Sequence, residues 1–387
     1  MKILMVHNRY KQRGGEDVST DVEIALLRER GHHVTAVFED NARIDQLGIV
    51  RTGIRTLWSR DAHRRISDVL ESSTYDVMHV QNFFPLLSPS IYYAARRAGV
   101  PIVQALRNFR LLCPAATLCR DGRSCTDCVG RAYPWPGVVH RCYRSSRPAT
   151  ALVGTLIAGH RAFGTWNRAV DLYVTPSRFA LARFVDAGWD PDRIVVKPNA
   201  VHPDPHVGAG AGGYALFVGR LTTEKGIGTL LTAWDRHRPT LPLRIVGDGP
   251  MRDDVAAATR RNPAIAWEGA TEQDETYRLM QDATVVVVPS QCVETFGRVV
   301  AEAFATGTPV IVSDRGALPE LVAETDHGVV YPAGDTAALA QAVNRLARSG
   351  ATIRAAARAD YLRRFSGTAS AERLEDIYER VIDGVRR

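Results

Sequence analysis

The residues TVVVVPSQCVETFGRVVAEAFATG (284–307) spell a strand, a loop and a helix in that order. The apolar run TVVVVPS (284–290) has the composition of a parallel strand buried on both faces. Thr295-Phe296-Gly297 opens the helix RVVAEAFATG (298–307). Glu294 therefore falls in the loop at the carboxyl end of a strand, and Glu302 about a turn into the next helix. Open α/β sheets bind ligands at the carboxyl ends of their strands. The amides that begin a helix lack intrahelical partners and attract anions. Carboxylates for hydroxyls beside amides for phosphate suit a nucleotide sugar. The spacing alone also fits two solvated surface acids.

A second stretch works with the first. YALFVGRLTTEKGIGTLLTAW (214–234) reads as strand, loop and helix, with Arg220 just past the strand and Lys225 just before the helix. Two cations at one strand end can hold a diphosphate, Arg as a fork and Lys as a point charge. Either alone reads equally well as an exposed basic residue.

The same alternation extends along the chain and predicts two doubly wound α/β halves. In the first half strands are expected at 2–7, 33–39, 75–81, 101–106, 171–175 and 194–197. Gly14-Gly15 lies between the first strand and a helix at 17–30, where glycine permits close approach of a ligand. The halves are expected to join near 199–202, in the Pro- and Gly-rich KPNAVHPDPHVGAGAGG. This gives domains at 1–200 and 201–365, with a C-terminal helix within 366–387 crossing back to the first.

With 387 residues, 45% hydrophobic and 24% charged, the chain can build two full cores. No apolar run reaches the ~18 residues that span a bilayer. MKILMVHNRY begins as a strand without a signal-peptide layout, so a cytoplasmic protein is expected. Charge is uneven: residues 1–200 hold 28 Lys+Arg and 18 Asp+Glu, a net +10, against a net −3 in the remainder. Arg51, Arg55, Arg60, Arg64 and Arg65 recur at helical spacing near Trp58, with Arg141, Arg144 and Arg147 further on. Such a face fits either solvated charge or peripheral contact with an anionic membrane. No nucleic-acid-binding motif accompanies it.

Five of the six cysteines lie in the segment 108–147. CTDC supplies a C-x2-C, with Cys113 and Cys142 on either side. Cys113, Cys125, Cys128 and Cys142 form a ligand set for structural zinc. One C-x2-C without a second pair equally fits reduced thiols in a compact loop. Disulfides are not expected in a cytoplasmic protein.

The ordered set GRLTTEKG, IVGDGP, WEGATEQDETYRLM, VPSQCVETFGRVVAEAFATGTPVIVSDRGALPELV and HGVVYPAGD resembles the C-terminal domain of the retaining GT4 glycosyltransferases (glycosyl transferases group 1). HNRYKQRGGEDVST, DVMHVQNFFPLLSP and VTPSRFALARFVDAGWDPDRIVVKPNAV resemble the N-terminal half of the same family, so the likeness covers nearly the whole chain. It implies the GT-B fold, two Rossmann-like domains facing a cleft. It also implies transfer of a sugar from a nucleoside diphosphate sugar to a hydroxyl of a glycan, glycolipid or small molecule, with retention and without a catalytic cofactor. The pathway it suggests is cell-surface polysaccharide, glycolipid or natural-product synthesis.

Residue by residue, the resemblance implies that Gly14, Gly15, Gly219, Arg220, Lys225, Glu294, Thr295, Phe296, Gly297 and Glu302 contact the donor. Glu302 would accept from ribose, Glu294 from the donor sugar, while Arg220 and Lys225 offset charge on the leaving diphosphate. On the acceptor side it points to Gln81, Asn82, Arg107 and Asn108. Here the chain departs from the pattern. Gln81 and Arg107 stand where many relatives have histidines, and KPNAV lacks the glycine of the common PNG turn. Two other readings remain: a different GT-B enzyme, such as an epimerase or phosphorylase, and a catalytically weak binding protein.

Overall fold

The structure, a computed structural model, describes residues 1–323, 325–348 and 350–386. The chain divides into two compact units. One comprises Met1–Leu118, Cys125–Pro198 and the segment from Ser370. The other comprises Cys119–Ser124 and Asn199–Ala369.

The strands are β1 (Lys2–Arg9), β2 (His33–Asp40), β3 (Val77–Asn82), β4 (Ile102–Ala105), β5 (Cys119–Arg120), β6 (Arg123–Ser124), β7 (Leu172–Thr175), β8 (Ile194–Val196), β9 (Ala215–Val218), β10 (Leu243–Val246), β11 (Ile265–Gly269), β12 (Val285–Val288), β13 (Val310–Ser313) and β14 (Gly328–Tyr331). Among the described residues they form two six-stranded sheets, ordered β2-β1-β3-β4-β7-β8 and β11-β10-β9-β12-β13-β14, and a β5-β6 hairpin. All pairs in the large sheets are parallel. Strand ends fall within about two residues of the expected bounds, the usual fraying of pattern-based limits.

In the second unit the apolar strands explain the layering. Leu216, Val286 and Val288 enter one core with Phe296, Val300 and Phe304. Ala215, Phe217, Val285 and Val287 enter the other with Leu230, Trp234 and Leu339. Alternate side chains point to opposite faces, so a run such as VVVV is what a sheet covered on both sides requires. Each fully buried Val, Leu or Phe contributes roughly 1.5–3 kcal/mol. The strand order reverses between β9 and β12, so the loops that follow them flank a topological switch point.

In the first unit the reversal falls between β1 and β3. One face of this sheet packs Ile3, Met5, Val77 and Val103 against Ile24 and Leu27 of the helix Gly15–Glu29. The same cluster takes Leu374, Ile377, Tyr378 and Val381 from the helix Gly367–Arg386.

Candidate functional site

In the second unit both polar stretches arrive at the switch point. Arg220 follows β9, and Glu294 lies in the loop after β12. Gly226 draws the two loops together. It sits at φ +80°, and a Cβ there would stand 1.8 Å from the Pro289 carbonyl oxygen. Only glycine allows that approach. The amide of Gln291 donates to the Glu224 carbonyl at 2.8 Å and closes the junction.

Lys225 Nζ thereby reaches Glu294 Oε1 at 2.5 Å, and Ser290 Oγ donates to the same oxygen at 2.7 Å. Burial alone would raise the Glu294 pKa. The Lys225 ammonium, the Ser290 hydrogen bond and the Arg220 charge outweigh it and hold the carboxyl below its ordinary value. Glu294 is a carboxylate at neutral pH. Arg220 is exposed, and its guanidinium forms no ion pair among the described residues. It is the uncommitted cation of the site.

The helix Arg298–Ala305 begins at Gly297, at φ +92° and without a side-chain cap. A Cβ on Gly297 would stand 2.5 Å from Leu318 Cδ2. Phe296 anchors the turn by inserting into the core. Thr295, Phe296 and Gly297 thus place the helix N-terminus beside Glu294, an arrangement suited to an anionic group. Glu302 lies a turn on, with Oε1 at 2.7 Å from Arg298 Nε. The sequence reading did not single out Arg298, although its i,i+4 spacing to Glu302 is visible on the helix. Gly219, at φ +157°, turns the chain from β9 toward Arg220.

The first unit holds the remaining expected residues, and several are occupied internally. Gly14 caps the helix Gly15–Glu29, but its amide donates to Asp17 Oδ2 at 2.9 Å. Asp17 also bonds the His7 ring at 2.8 Å. Gly15 is exposed. Asn82 is buried. Its Nδ2 donates to the Asn8 carbonyl at 2.9 Å and its Oδ1 accepts from the Phe84 amide at 2.9 Å, which ties β3 to β1. Asn108 donates to Glu16 Oε1 at 2.7 Å, and Tyr10 donates to Glu16 Oε2 at 3.0 Å. Arg110 stacks on Phe84, 4.3 Å from the ring centroid. Tyr10, Asn82, Phe84, Asn108 and Arg110 line an open recess at the carboxyl ends of β3 and β4.

Behind this recess lies a buried ionic cluster that the sequence reading missed. Glu23 Oε1 receives Arg107 Nη2 at 2.8 Å and Lys197 Nζ at 2.6 Å, and Oε2 receives Gln81 Nε2 at 2.5 Å. Arg107 Nε also donates to Gln81 Oε1 at 2.9 Å. Burial opposes ionisation of Glu23, yet Arg107 and Lys197 carry its pKa far below the ordinary value. His79 is buried beside the cluster and bonds the Tyr378 hydroxyl at 2.7 Å. Burial pushes its pKa down to about 4, with Arg107 and Lys197 adding to the fall against the pull of Glu23. Gln81 and Arg107, in place of the histidines, are thus built into a fixed network. A lysine at the end of a strand, Lys197, was the one visible signal.

The structure lends the expected zinc site no support. Cys113 and Cys128 are buried, Cys125 and Cys142 half-buried, and none of the four is in a disulfide. Among the described residues no three His, Cys, Asp or Glu side chains are gathered to hold a metal ion. Backbone turns hold the segments. The Cys113 amide donates to the Phe109 carbonyl, that of Cys125 to Leu118 and that of Cys142 to Gly137. Burial, with Cys113, Cys142 and Cys125 nearby, raises the Cys128 thiol to about 11, so it packs as a neutral group. Cys119 is joined to Cys292 in a disulfide, contrary to expectation. The β5-β6 hairpin belongs to the second unit and meets the loop after β12, a pairing that 173 residues of separation hide.

Comparison with known proteins agrees with this architecture. Residues 14–200 match the family described as glycosyl transferase 4-like domain, and residues 212–349 match glycosyl transferases group 1. An uncharacterized glycosyltransferase of Methanocaldococcus jannaschii is 41% identical over 123 residues, 30% of this chain and 31% of that protein. The alpha-maltose-1-phosphate synthase of Mycobacterium tuberculosis is 36% identical over 185 residues, 43% of this chain and 48% of the relative. The chain therefore spans about a third to a half of the length of these curated relatives. Anabaena HepE, solved with UDP-glucose, superposes with a TM-score of 0.68 at 18% identity, covering 98% of this chain and 99% of its own. At that identity the likeness concerns the fold.

Proposed function

This chain belongs to the GT4-like group 1 glycosyltransferases and has their GT-B fold, and from that premise we propose that it transfers a sugar from a nucleoside diphosphate sugar to a hydroxyl acceptor with retention of configuration. The observation that carries the proposal is the Lys225–Glu294 pair beside Arg220 at the β9/β12 switch point.

In this reading Arg220 and Lys225 meet the donor diphosphate, helped by the amides at Gly297. Leaving-group charge grows in the transition state, so fixed cations there lower the barrier. Lys225 is already held by Glu294, which limits its wandering. Glu294 has oxygens to accept from donor-sugar hydroxyls. Glu302, braced by Arg298, is assigned to the ribose hydroxyls. Retention follows if the leaving phosphate oxygen takes the proton of an acceptor hydroxyl attacking from the same face. No protein nucleophile enters that step. The acceptor, a glycan, glycolipid or small molecule, is assigned to the recess of Tyr10, Asn82, Asn108 and Arg110. The reaction is assigned to the synthesis of polysaccharide, glycolipid or natural product.

Thermal denaturation in the presence of UDP, GDP and ADP tests the donor assignment. A ligand that binds only the folded chain raises its midpoint. At least one diphosphate is expected to do so in wild type and to lose the effect in Lys225→Ala. No shift with any of them overturns the proposal. The anomeric configuration of the product, read by NMR, tests retention.

A further inference from the structure

The helix Ile44–Leu57 is broken at Gly48, which takes φ +73°. Beyond the break it presents large apolar side chains to solvent: Ile49 is 92% exposed, Val50 75% and Ile54 63%. Trp58, just past its end, is 40% exposed and rests on Tyr93, with ring centroids 5.2 Å apart. Val50, Ile54 and Trp58 follow an i, i+4, i+8 spacing, which puts them on one face, whereas Ile49 lies on the other side of the helix and is exposed next to the break at Gly48. The opposite face packs inward: Thr56 is buried, and a Cβ on Gly53 would lie 3.3 Å from Leu152. The helix therefore has apolar side chains on its outer side that no described residue covers.

The charges around this face are not those expected from the sequence. Arg55 pairs with Asp61 at 2.8 Å and is mostly covered, and Arg65 donates to the Phe38 carbonyl at 3.0 Å. Both serve the unit itself. Asp45 is neutralised by Lys11 at 2.5 Å. Arg51, Arg60 and Arg64 are exposed, and among the described residues they form no ion pair. Asp45 and Asp61 are thus paired within the unit, and the exposed Asp68, four residues after Arg64, leaves a net positive charge among Arg51, Arg60, Arg64 and Asp68.

We propose that Val50, Ile54 and Trp58, with the exposed Ile49 at the Gly48 break and the exposed Arg51, Arg60 and Arg64 in the same stretch of chain, form a docking surface for an anionic lipid membrane. Side chains this exposed stand proud of the surface. A projecting apolar tip enters a soft acyl boundary, whereas a protein partner would need a socket shaped to it. Tryptophan suits the headgroup level, and guanidinium groups pair with lipid phosphates. Anchoring of this kind is peripheral; among the described residues no helix is long and apolar enough to cross a membrane. The proposal is independent of the donor and acceptor assignments.

The test is co-sedimentation of the full chain with vesicles of phosphatidylcholine, with and without phosphatidylglycerol, at low and high salt. Wild type is expected to sediment with the phosphatidylglycerol vesicles and to bind pure phosphatidylcholine more weakly. High salt should weaken the anionic binding, since exposed charges act over about 8–10 Å at physiological strength. The variant Ile49→Ser/Val50→Ser/Ile54→Ser should lose at least about tenfold in vesicle affinity. Its melting temperature should match wild type, because the changed side chains touch solvent. Arg51→Ser/Arg60→Ser/Arg64→Ser should abolish the preference for phosphatidylglycerol. Wild type remaining in the supernatant with anionic vesicles at low salt overturns the proposal. So does undiminished binding by the Ile49/Val50/Ile54 variant. Self-association of wild type that this variant abolishes, without vesicle binding, would assign the face to a second copy of the chain instead.

Discussion

Lys197, at the end of β8, and Glu23, in the middle of the helix Gly15–Glu29, form an ion pair of 2.6 Å with 1% and 3% of their side chains exposed. Arg107 joins them on the same carboxylate oxygen. Glu23→Gln would leave two buried cations without their counter-charge. Breaking a buried pair in this way costs about 3–5 kcal/mol. Urea denaturation is expected to show that loss. A midpoint within experimental error of wild type would mean that water already screens the cluster.

His79 gives the first unit a pH dependence of defined sign. Its folded pKa, about 4, lies below the unfolded value of 6.5. Between these values the unfolded chain binds a proton that the native chain does not. The contribution of His79 is therefore constant above about pH 6.5 and falls toward pH 4, by about 3 kcal/mol. Glu23 has a depressed pKa, so its contribution is lost at still lower pH, as pH falls from its unfolded value toward its folded one. Urea midpoints measured across this range check the slope, and His79→Gln should flatten it between pH 6.5 and 4.

Lys225→Ala and Arg220→Ala are each expected to weaken nucleoside diphosphate binding by about 1.5–3 kcal/mol, the range for hydrogen bonds to charged groups. Lys225→Ala should also raise the Glu294 pKa, because Lys225 is its largest lowering influence. Calorimetric titration reads the first effect, and the pH dependence of binding reads the second.

Glu302→Ala should chiefly raise the donor KM, and Glu294→Ala chiefly lower kcat. Contacts far from the reacting carbon bind ground and transition states alike, whereas contacts to the sugar can strengthen as charge develops. Steady-state kinetics separate the two patterns.

Gly226→Ala should cost about 1–3 kcal/mol of stability from the strained backbone. Its larger effect should be on donor affinity. The added Cβ would meet the Pro289 carbonyl oxygen at 1.8 Å, so the loops must part and Lys225 must leave Glu294. Affinity retained in full would show that the loops can shift without opening the pair.

The fold was legible because a strand covered on both sides needs a short, unbroken apolar run. Val285–Val288 and Ala215–Val218 are such runs, bounded by Pro and Gly. Arg220, Lys225, Glu294 and Glu302 were legible because each sits within a few residues of a strand end or helix start. Glu23 was hidden. Within DVSTDVEIALLRER it has the spacing of a surface charge, and its partners lie 84 and 174 residues away. Arg55 and Arg65 were misread for the same reason: helical spacing gives the face of a residue but not the acid or carbonyl that occupies it. In the cysteine segment Cys113, Cys125 and Cys142 do lie near Cys128, yet no three of the thiols are placed to hold a metal ion among the described residues: proximity does not by itself give ligand geometry.

From Ser370 onward the helix Gly367–Arg386 belongs to the first unit, although it follows the second unit in the chain. On the ribosome, residues 1–198 emerge well before it, and they lack Leu374, Ile377, Tyr378 and Val381 until the whole second unit has been synthesised. Domains made first ordinarily finish folding first. Here the order is inverted: the second unit is complete while the first waits for its closing helix. A chain terminated after Ala369 would damage the half farthest from the stop, and a fragment ending at Pro198 would need the segment from Ser370 supplied to it before it became a stable, soluble domain.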